Sequence, residues 1–193
     1  MLDWTPNILG LGGTTREGST SERALLAALD LAGQLGARTD ALLAADLELS
    51  AYAPERHPGG PAAGRLLDLV RRADGILIAT PGFHGGPSGL LKNALDHLEE
   101  LRGEERPYLD DRAVGCIVCA AGWQATTTTL VALRSTVHAL RGWPTPLGVT
   151  VNSLAGHGED PVAAARPQLE LLARQVVEFA RRRHAAEALE VRS

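Results

Sequence analysis

Aromatic residues are scarce in this chain: two Phe, two Tyr and three Trp make up 4% of its 193 positions. Surfaces that stack nucleic-acid bases are built on aromatic rings, so this supply argues against one. An excess of cations is missing too. Lys and Arg number 19 against 23 Asp and Glu, which gives a formal charge of −4. A field that would draw phosphate backbones or an anionic lipid surface is absent, and neither a nucleic-acid nor a membrane partner is expected. No stretch reaches the roughly 18 consecutive apolar residues that a membrane-spanning helix needs. The opening "MLDWTPNILGLGG" has no basic segment leading into a long apolar one. A secretory leader is therefore not expected, and the cytoplasm is the expected location.

Cysteine is nearly absent. Cys116 and Cys119 stand as C-x-x-C in "AVGCIVCAAG" (113–122). A redox pair of this spacing opens a helix, whereas this one lies in a strand pattern, where residues three apart point to opposite faces. A zinc site needs four ligands, and no His cluster follows to complete one. Two buried structural thiols are expected. The dinucleotide fingerprint G-x-G-x-x-G is missing from the first glycine-rich loop, "GLGGTTREGSTS" (10–21), as is the GK[ST] of a triphosphate loop.

What the chain does have is alternation. Buried-strand patterns at 7–13, 75–81, 112–120 and 145–152, with a weaker one at 38–47, alternate with helical patterns. The helices are expected at 19–37, 65–74, 88–102, 129–142 and 160–184. Between them fall surface loops at 48–64 and 103–111, glycine-bearing loops at 82–87 and 121–127, and a fraying tail from 185. No repeat or linker interrupts the series, so a single domain over 1–193 is expected. Strands alternating with helices of this length predict an α/β fold, a doubly wound five-stranded parallel sheet with helices on both faces. Its order would be the flavodoxin-like 2-1-3-4-5 or that of a truncated Rossmann sheet. Ligands of such sheets bind beyond the carboxyl ends of the strands, at the switch point. The loops 12–19, 81–87 and 120–126 are therefore the ones to watch.

The first of them gathers Thr14, Thr15, Ser19, Thr20 and Ser21 around one cation, Arg16, at the mouth of a helix. Hydroxyls, helix-terminal N–H groups and a guanidinium make a cradle for a terminal phosphate such as that of a flavin mononucleotide. The bland alternative is a cluster of helix caps with a solvated Arg.

The second loop and the helix after it, "TPGFHGGPSGLLKNALDHL" (80–98), resemble a segment of the NAD(P)H-dependent FMN reductase family. That segment runs Pro, a spacer, an aromatic, four residues, then Pro or Ser, Gly and a Leu-Lys-Asn-x-x-Asp stretch. The family is flavodoxin-like and includes alkanesulfonate-system FMN reductases, quinone and chromate reductases and azoreductases. The first loop resembles the family's G-S-x-R-x-x-S-x-N: Arg16 and Ser19 match, Thr14 replaces Ser and Ser21 replaces Asn. The third loop, "CAAGWQ" (119–124), stands where the family carries two glycines, with Ala121 in place of one. The resemblance covers about 7–155.

It implies that Thr14, Arg16, Ser19, Thr20 and Ser21 hold the phosphate of FMN. Pro81, Gly82, Phe83, His84 and Gly85 would lie along the isoalloxazine, Phe83 standing for the usual tyrosine. Ala121 and Gly122 would approach its pyrimidine end, where backbone amides stabilise developing negative charge. The resemblance further implies NADPH or NADH as hydride donor and FMN as acceptor, with no protein side chain as catalytic acid or base. The reduced flavin would feed a flavin-dependent monooxygenase or reduce a quinone, azo compound or metal oxyanion. A homodimer or homotetramer is implied, with Lys92 and Asp96 at the subunit interface. On the residues alone those two are a surface pair at i,i+4. His84 could also donate a proton to substrate. Trp123 would cover a flavin edge or sit in an interface. The competing reading is a flavodoxin-like electron carrier that oxidises no pyridine nucleotide. Arg16 and the mild acidity disfavour it.

Overall fold

The computed structural model describes residues 4–55, 60–155 and 158–190. Positions 56–59 of the expected surface loop and the last three of the expected tail lie outside the described residues. Strands β1 (Asn7–Gly12), β2 (Arg38–Leu42), β3 (Gly75–Phe83) and β5 (Ala113–Ala120) pair in parallel in the order β2-β1-β3-β5. β6 (Trp143–Pro144) and β7 (Val149–Asn152) both extend β5 on its far side, β6 at Ala113–Val114 and β7 at Ile117–Ala120. The expected order 2-1-3-4-5 is present, with its fifth strand in two pieces. Pro144 and Pro146 explain the break, because neither carries an N–H for the ladder. Thr145 crosses the gap, giving its N–H to Val114 O at 3.0 Å and its hydroxyl to Leu147 O at 2.7 Å. The two-residue β4 (Gly86–Pro87) folds back antiparallel on the end of β3. The seven pieces thus differ from the five expected strands only by this hairpin and this interruption.

Helices α1 (Thr20–Gln34) and α6 (Arg166–Glu190) cover one face of the sheet. Helices α2 (Gly60–Arg72), α3 (Gly89–Asp96) and α4 (Trp123–Ala139) cover the other. Strand residues alternate between the two cores, as period two requires. Leu9, Leu11, Ile76, Ile78, Val114 and Cys116 pack with Leu66, Leu91 and Leu133. Ile8, Leu77, Ile117, Cys119 and Val149 pack with Leu25, Leu172 and Val176. The two cysteines are free, buried, and in different cores, so the structural-thiol reading stands.

Several boundaries differ from the sequence reading: the strand expected at 38–47 ends at Leu42 and gives way to a 3-10 turn at Ala44–Leu47, and the helix expected at 88–102 is α-helical only to Asp96, then 3-10 over His97–Leu101. α2 begins at Gly60 instead of 65, inside the expected loop. α4 begins at Trp123 instead of 129, so most of the expected loop 121–127 is helix. Its threonines read as non-helical, yet Thr126 and Thr128 donate their hydroxyls to Trp123 O and Gln124 O of the same helix, both at 2.9 Å. The last helix is divided: the short α5 (Pro161–Ala164) precedes α6, which carries Pro167 in its first turn and runs on to Glu190. The tail from 185 to 190 is therefore helical instead of frayed. Arg183 pairs there with Glu187 and with Asp111, both at 2.8 Å.

Arg112 is the largest fully buried side chain. It donates to Ala73 O at 2.9 Å, Asp110 O at 3.0 Å and Arg71 O at 3.2 Å. It thereby satisfies carbonyls left over at the end of α2 and ties them to the start of β5. Burial, with Arg106 nearby, lowers its pKa to about 10, so the guanidinium stays charged at neutral pH. Among the described residues no helix is long and apolar enough to cross a membrane.

Candidate functional site

Three connections meet at the carboxyl edge of the sheet, where β1, β3 and β5 end. The first joins β1 to α1. Gly13 N–H reaches Ala79 O at 2.7 Å, which seats this loop against β3. A Cβ on Gly13 would come within 2.9 Å of Thr80 Oγ1 and 3.0 Å of Leu91 Cβ, so only glycine allows that approach. Thr14 Oγ1 accepts Arg16 N–H at 3.1 Å and turns the chain. Ser19 caps α1, its Oγ accepting Glu22 N–H at 3.3 Å and sharing a hydrogen bond with Ser21 Oγ at 3.2 Å. Thr20 and Ser21 open the helix, where N–H groups precede the intrahelical ladder and face outward. Glu22 is also drawn in. It is buried, and its Oε1 accepts Gly18 N–H at 3.1 Å.

The second connection is the hairpin from β3 to β4. Phe83 pairs with Gly86 across His84 and Gly85, whose φ angles are +50° and +85°. Positive φ at both central residues is the pattern of a type I′ turn, which matches the twist of its strands. Thr129 of α4 braces the hairpin, its hydroxyl 3.4 Å from Gly86 O. Thr80 accepts Ser88 N–H at 3.0 Å, and Ser88 in turn caps α3 by accepting Leu91 N–H at 3.1 Å. The third connection is short: Ala121 and Gly122 follow β5, and α4 starts at once at Trp123. A second helix N-terminus, with its partial positive charge, therefore faces the same edge.

Between these loops lies a cleft of about 430 Å³. Of the twelve residues expected to hold a cofactor, nine line it: Thr14, Arg16, Ser19, Thr20, Ser21, Pro81, Gly82, Phe83 and Ala121. The other three, His84, Gly85 and Gly122, fall on the flanking turns and are not among its lining residues. Cys119, Ala120 and Ser153 also line it, although none of them was assigned a role toward a cofactor. The first two are the last residues of β5. Ser153 follows β7 and is fixed there by its N–H on Ala120 O at 2.9 Å. The switch-point rule was the available signal for all three, applied to strand ends as well as loops. Cys119 is no ready nucleophile, for burial pushes its thiol pKa up to about 12 and Arg23 offsets this only in part.

One end of the cleft is built for an anion: hydroxyls, a helix start and Arg16, which is exposed and has no ion-pair partner among the described residues. The neighbouring Arg23 is already committed, to Asp160 through bonds of 2.8 and 3.1 Å. The other end, bounded by Pro81, Gly82, Phe83, Ala120 and Ala121, is a slot without formal charge. Phe83 is 58% exposed at its rim. Trp123, 59% exposed, turns to a neighbouring cleft of about 400 Å³ that runs along β7 toward Pro161 and Ala165. The Leu-Lys-Asn-x-x-Asp stretch is structural in this chain. Lys92 and Asp96 form a half-exposed ion pair at 2.7 Å. Asn93 clamps the strand-to-helix segment by accepting Tyr52 N–H at 2.8 Å and donating to Ser50 O at 3.1 Å.

A family model described as NADPH-dependent FMN reductase matches residues 6–156. An NADPH azoreductase of Bacillus sp. (strain OY1-2) is 28% identical over 93 residues, 48% of this chain and 49% of that protein. An FMN-dependent NADPH-azoreductase of Staphylococcus aureus (strain USA300) is 34% identical over 87 residues, 45% of this chain and 43% of that protein. The matches thus span about half the length of these curated relatives. Among solved structures, a flavoenzyme NAD(P)H:(acceptor) oxidoreductase from Paracoccus denitrificans superposes with a TM-score of 0.69 at 18% identity, covering 92% of this chain and 98% of that one. At that identity the likeness bears on the fold, which is flavodoxin-like as expected.

Proposed function

Because the chain belongs to the NADPH-dependent FMN reductase family, we propose that it binds FMN in this cleft and uses it to oxidise NADPH or NADH. The observation that carries the reading is the convergence of an anion cradle and an uncharged slot in one cleft at the switch point. The donor set fits the cofactor. Arg16, Thr14, Ser19, Thr20 and Ser21 suit a phosphate monoester, through charge-assisted bonds and a helix start. Pro81, Gly82, Phe83 and Ala121 suit a flat, largely apolar ring, and a cleft of this size is ordinary for a small ligand.

When bound, FMN supplies the hydride-accepting chemistry between nicotinamide and a second substrate. The chain's own part is positioning and electrostatics. The loop before α1 holds the phosphate end. The hairpin, braced by Thr129, sets the wall against which a planar ring rests. The start of α4 directs N–H groups and a positive dipole end at the slot, where negative charge would accumulate on reduction. Hydride transfer needs no side-chain acid or base, so none is assigned. The electron acceptor is a small molecule of the quinone, azo or metal-oxyanion kind, or the reduced flavin passes to a monooxygenase. Exposed Phe83, Trp123 and Val131 near the cleft and along α4 favour a second copy of the chain as the subunit partner. Cytoplasmic placement accords with the reading.

The test is an absorbance titration. FMN is added to the chain, its band near about 450 nm is followed, and NADPH or NADH is then introduced anaerobically. Bleaching by either nucleotide is expected and names the donor. Binding without bleaching would instead identify an electron carrier.

A further inference from the structure

We propose that Glu22 is a resident competitor for the phosphate cradle, and that it makes the flavin an exchanging substrate instead of a permanent group; this rests on the FMN reading above. Glu22 is 7% exposed, within the first turn of α1. Its carboxylate is turned toward the loop, with Oε1 on Gly18 N–H at 3.1 Å. A helix start favours an anion through its dipole and outward N–H groups, and this start already has one.

The loop's donors are partly committed to the same arrangement. Gly18 N–H goes to the Glu22 carboxylate. Glu22 N–H goes to Ser19 Oγ, and Ser19 and Ser21 share a hydrogen bond. Arg16 is the single cation among the residues lining the cleft, and Arg23 is held away by Asp160. Against Arg16 the loop and first turn set two carboxylates, exposed Glu17 and buried Glu22, so the cradle carries no net positive charge.

A phosphate monoester brings a charge of about −1.5 to −2 at neutral pH. Glu22 does not itself line the cleft, but a phosphate seated on the start of α1 would lie within the same helical turn as its buried carboxylate, where like charges repel. Riboflavin, with the same ring and no phosphate, meets no such repulsion. Glu22 thus latches the loop when the cleft is unliganded and lowers the preference for FMN over riboflavin. The result is flavin that leaves after reduction.

The experiment compares FMN and riboflavin Kd, by flavin fluorescence quenching, for the wild-type chain and for Glu22→Gln. Glutamine keeps an oxygen for Gly18 N–H and removes the charge. FMN binding is expected to tighten by roughly fivefold or more, with riboflavin within about twofold of wild type. FMN affinity that stays level or weakens in Glu22→Gln, with riboflavin unchanged, overturns the proposal and leaves the FMN reading intact. Binding of neither flavin to the wild-type chain overturns both. Should the variant fail to fold, the wild type alone still decides. A cradle without net positive charge predicts an FMN Kd that weakens less than about twofold between roughly 0.05 and 0.5 M KCl, whereas steep weakening by salt contradicts it.

Discussion

Two arginines define the residue scale, because the same guanidinium serves opposite ends. Arg16 stands exposed at the mouth of the cleft with no carboxylate paired to it among the described residues. Arg112 is sealed inside and held by backbone carbonyls. A charge-assisted bond to phosphate contributes about 1.5–3 kcal/mol. Arg16→Ala should therefore weaken FMN binding about 10- to 100-fold while leaving riboflavin nearly untouched, read by fluorescence titration. Arg16→Lys should recover only part of the loss, because a point charge does not reproduce the bidentate fork. Arg112→Leu should leave cofactor contacts alone and strike stability. It strands the carbonyls of Arg71, Ala73 and Asp110 without their donor, and a loss of about 3 kcal/mol or more is expected in a urea titration. Arg16 was legible in the sequence because hydroxyls and glycines surround it. Arg112 was not, because in "LDDRAVG" it reads as the polar end of a loop, and its acceptors at Ala73 and Arg71 lie some forty positions away.

At the scale of elements, the hairpin from β3 to β4 joins local conformation to the site. His84 holds a left-handed backbone angle that Asn accepts readily and a β-branched residue does not. His84→Asn should keep both stability and the rate of nucleotide oxidation, which would exclude proton donation by the imidazole. His84→Val should cost about 1–2 kcal/mol in thermal or urea unfolding and loosen flavin binding by displacing Phe83. This turn also marks where sequence reasoning stops. Periodicity located every major strand and helix, because each buries one stripe against one face of the sheet. It missed departures that hydrophobic periodicity does not encode. The divided fifth strand depends on two prolines and on Thr145 bridging to Val114. The early start of α4 depends on threonines that turn their hydroxyls back onto their own helix. For the site, the loop positions were legible because glycine and hydroxyl clusters mark ligand-binding turns. Cys119, Ala120 and Ser153 were given no cofactor role because a strand end looks the same whether it faces a cleft or a core.

For the whole molecule, the sheet separates two cores, and each contains one thiol. Burial pushes Cys116 and Cys119 from an ordinary value of 9.0 up to about 12. These shifts give stability a pH dependence whose sign is fixed. Between those values the unfolded chain releases both protons and the folded chain keeps them, so the unfolded state gains as pH rises. The stabilisation is full below pH 9 and falls above it, by about 1.4 kcal/mol per pH unit for each cysteine once the unfolded thiols are fully ionised. The cleanest window lies between 9 and 10, because Arg112 keeps its proton up to about 10. Chemical unfolding across that window should show stability declining in the wild type, and replacing both cysteines with alanine should flatten the slope even though the starting stability is lower. The same burial predicts that Ellman's reagent titrates neither thiol in the folded chain at neutral pH and both in guanidinium. Rapid labelling of Cys119 alone would mean that the cleft opens to its floor, since that thiol lines the cleft while Cys116 lies in the opposite core. Protection of Cys119 by added FMN in such an experiment would then report occupancy of the slot directly.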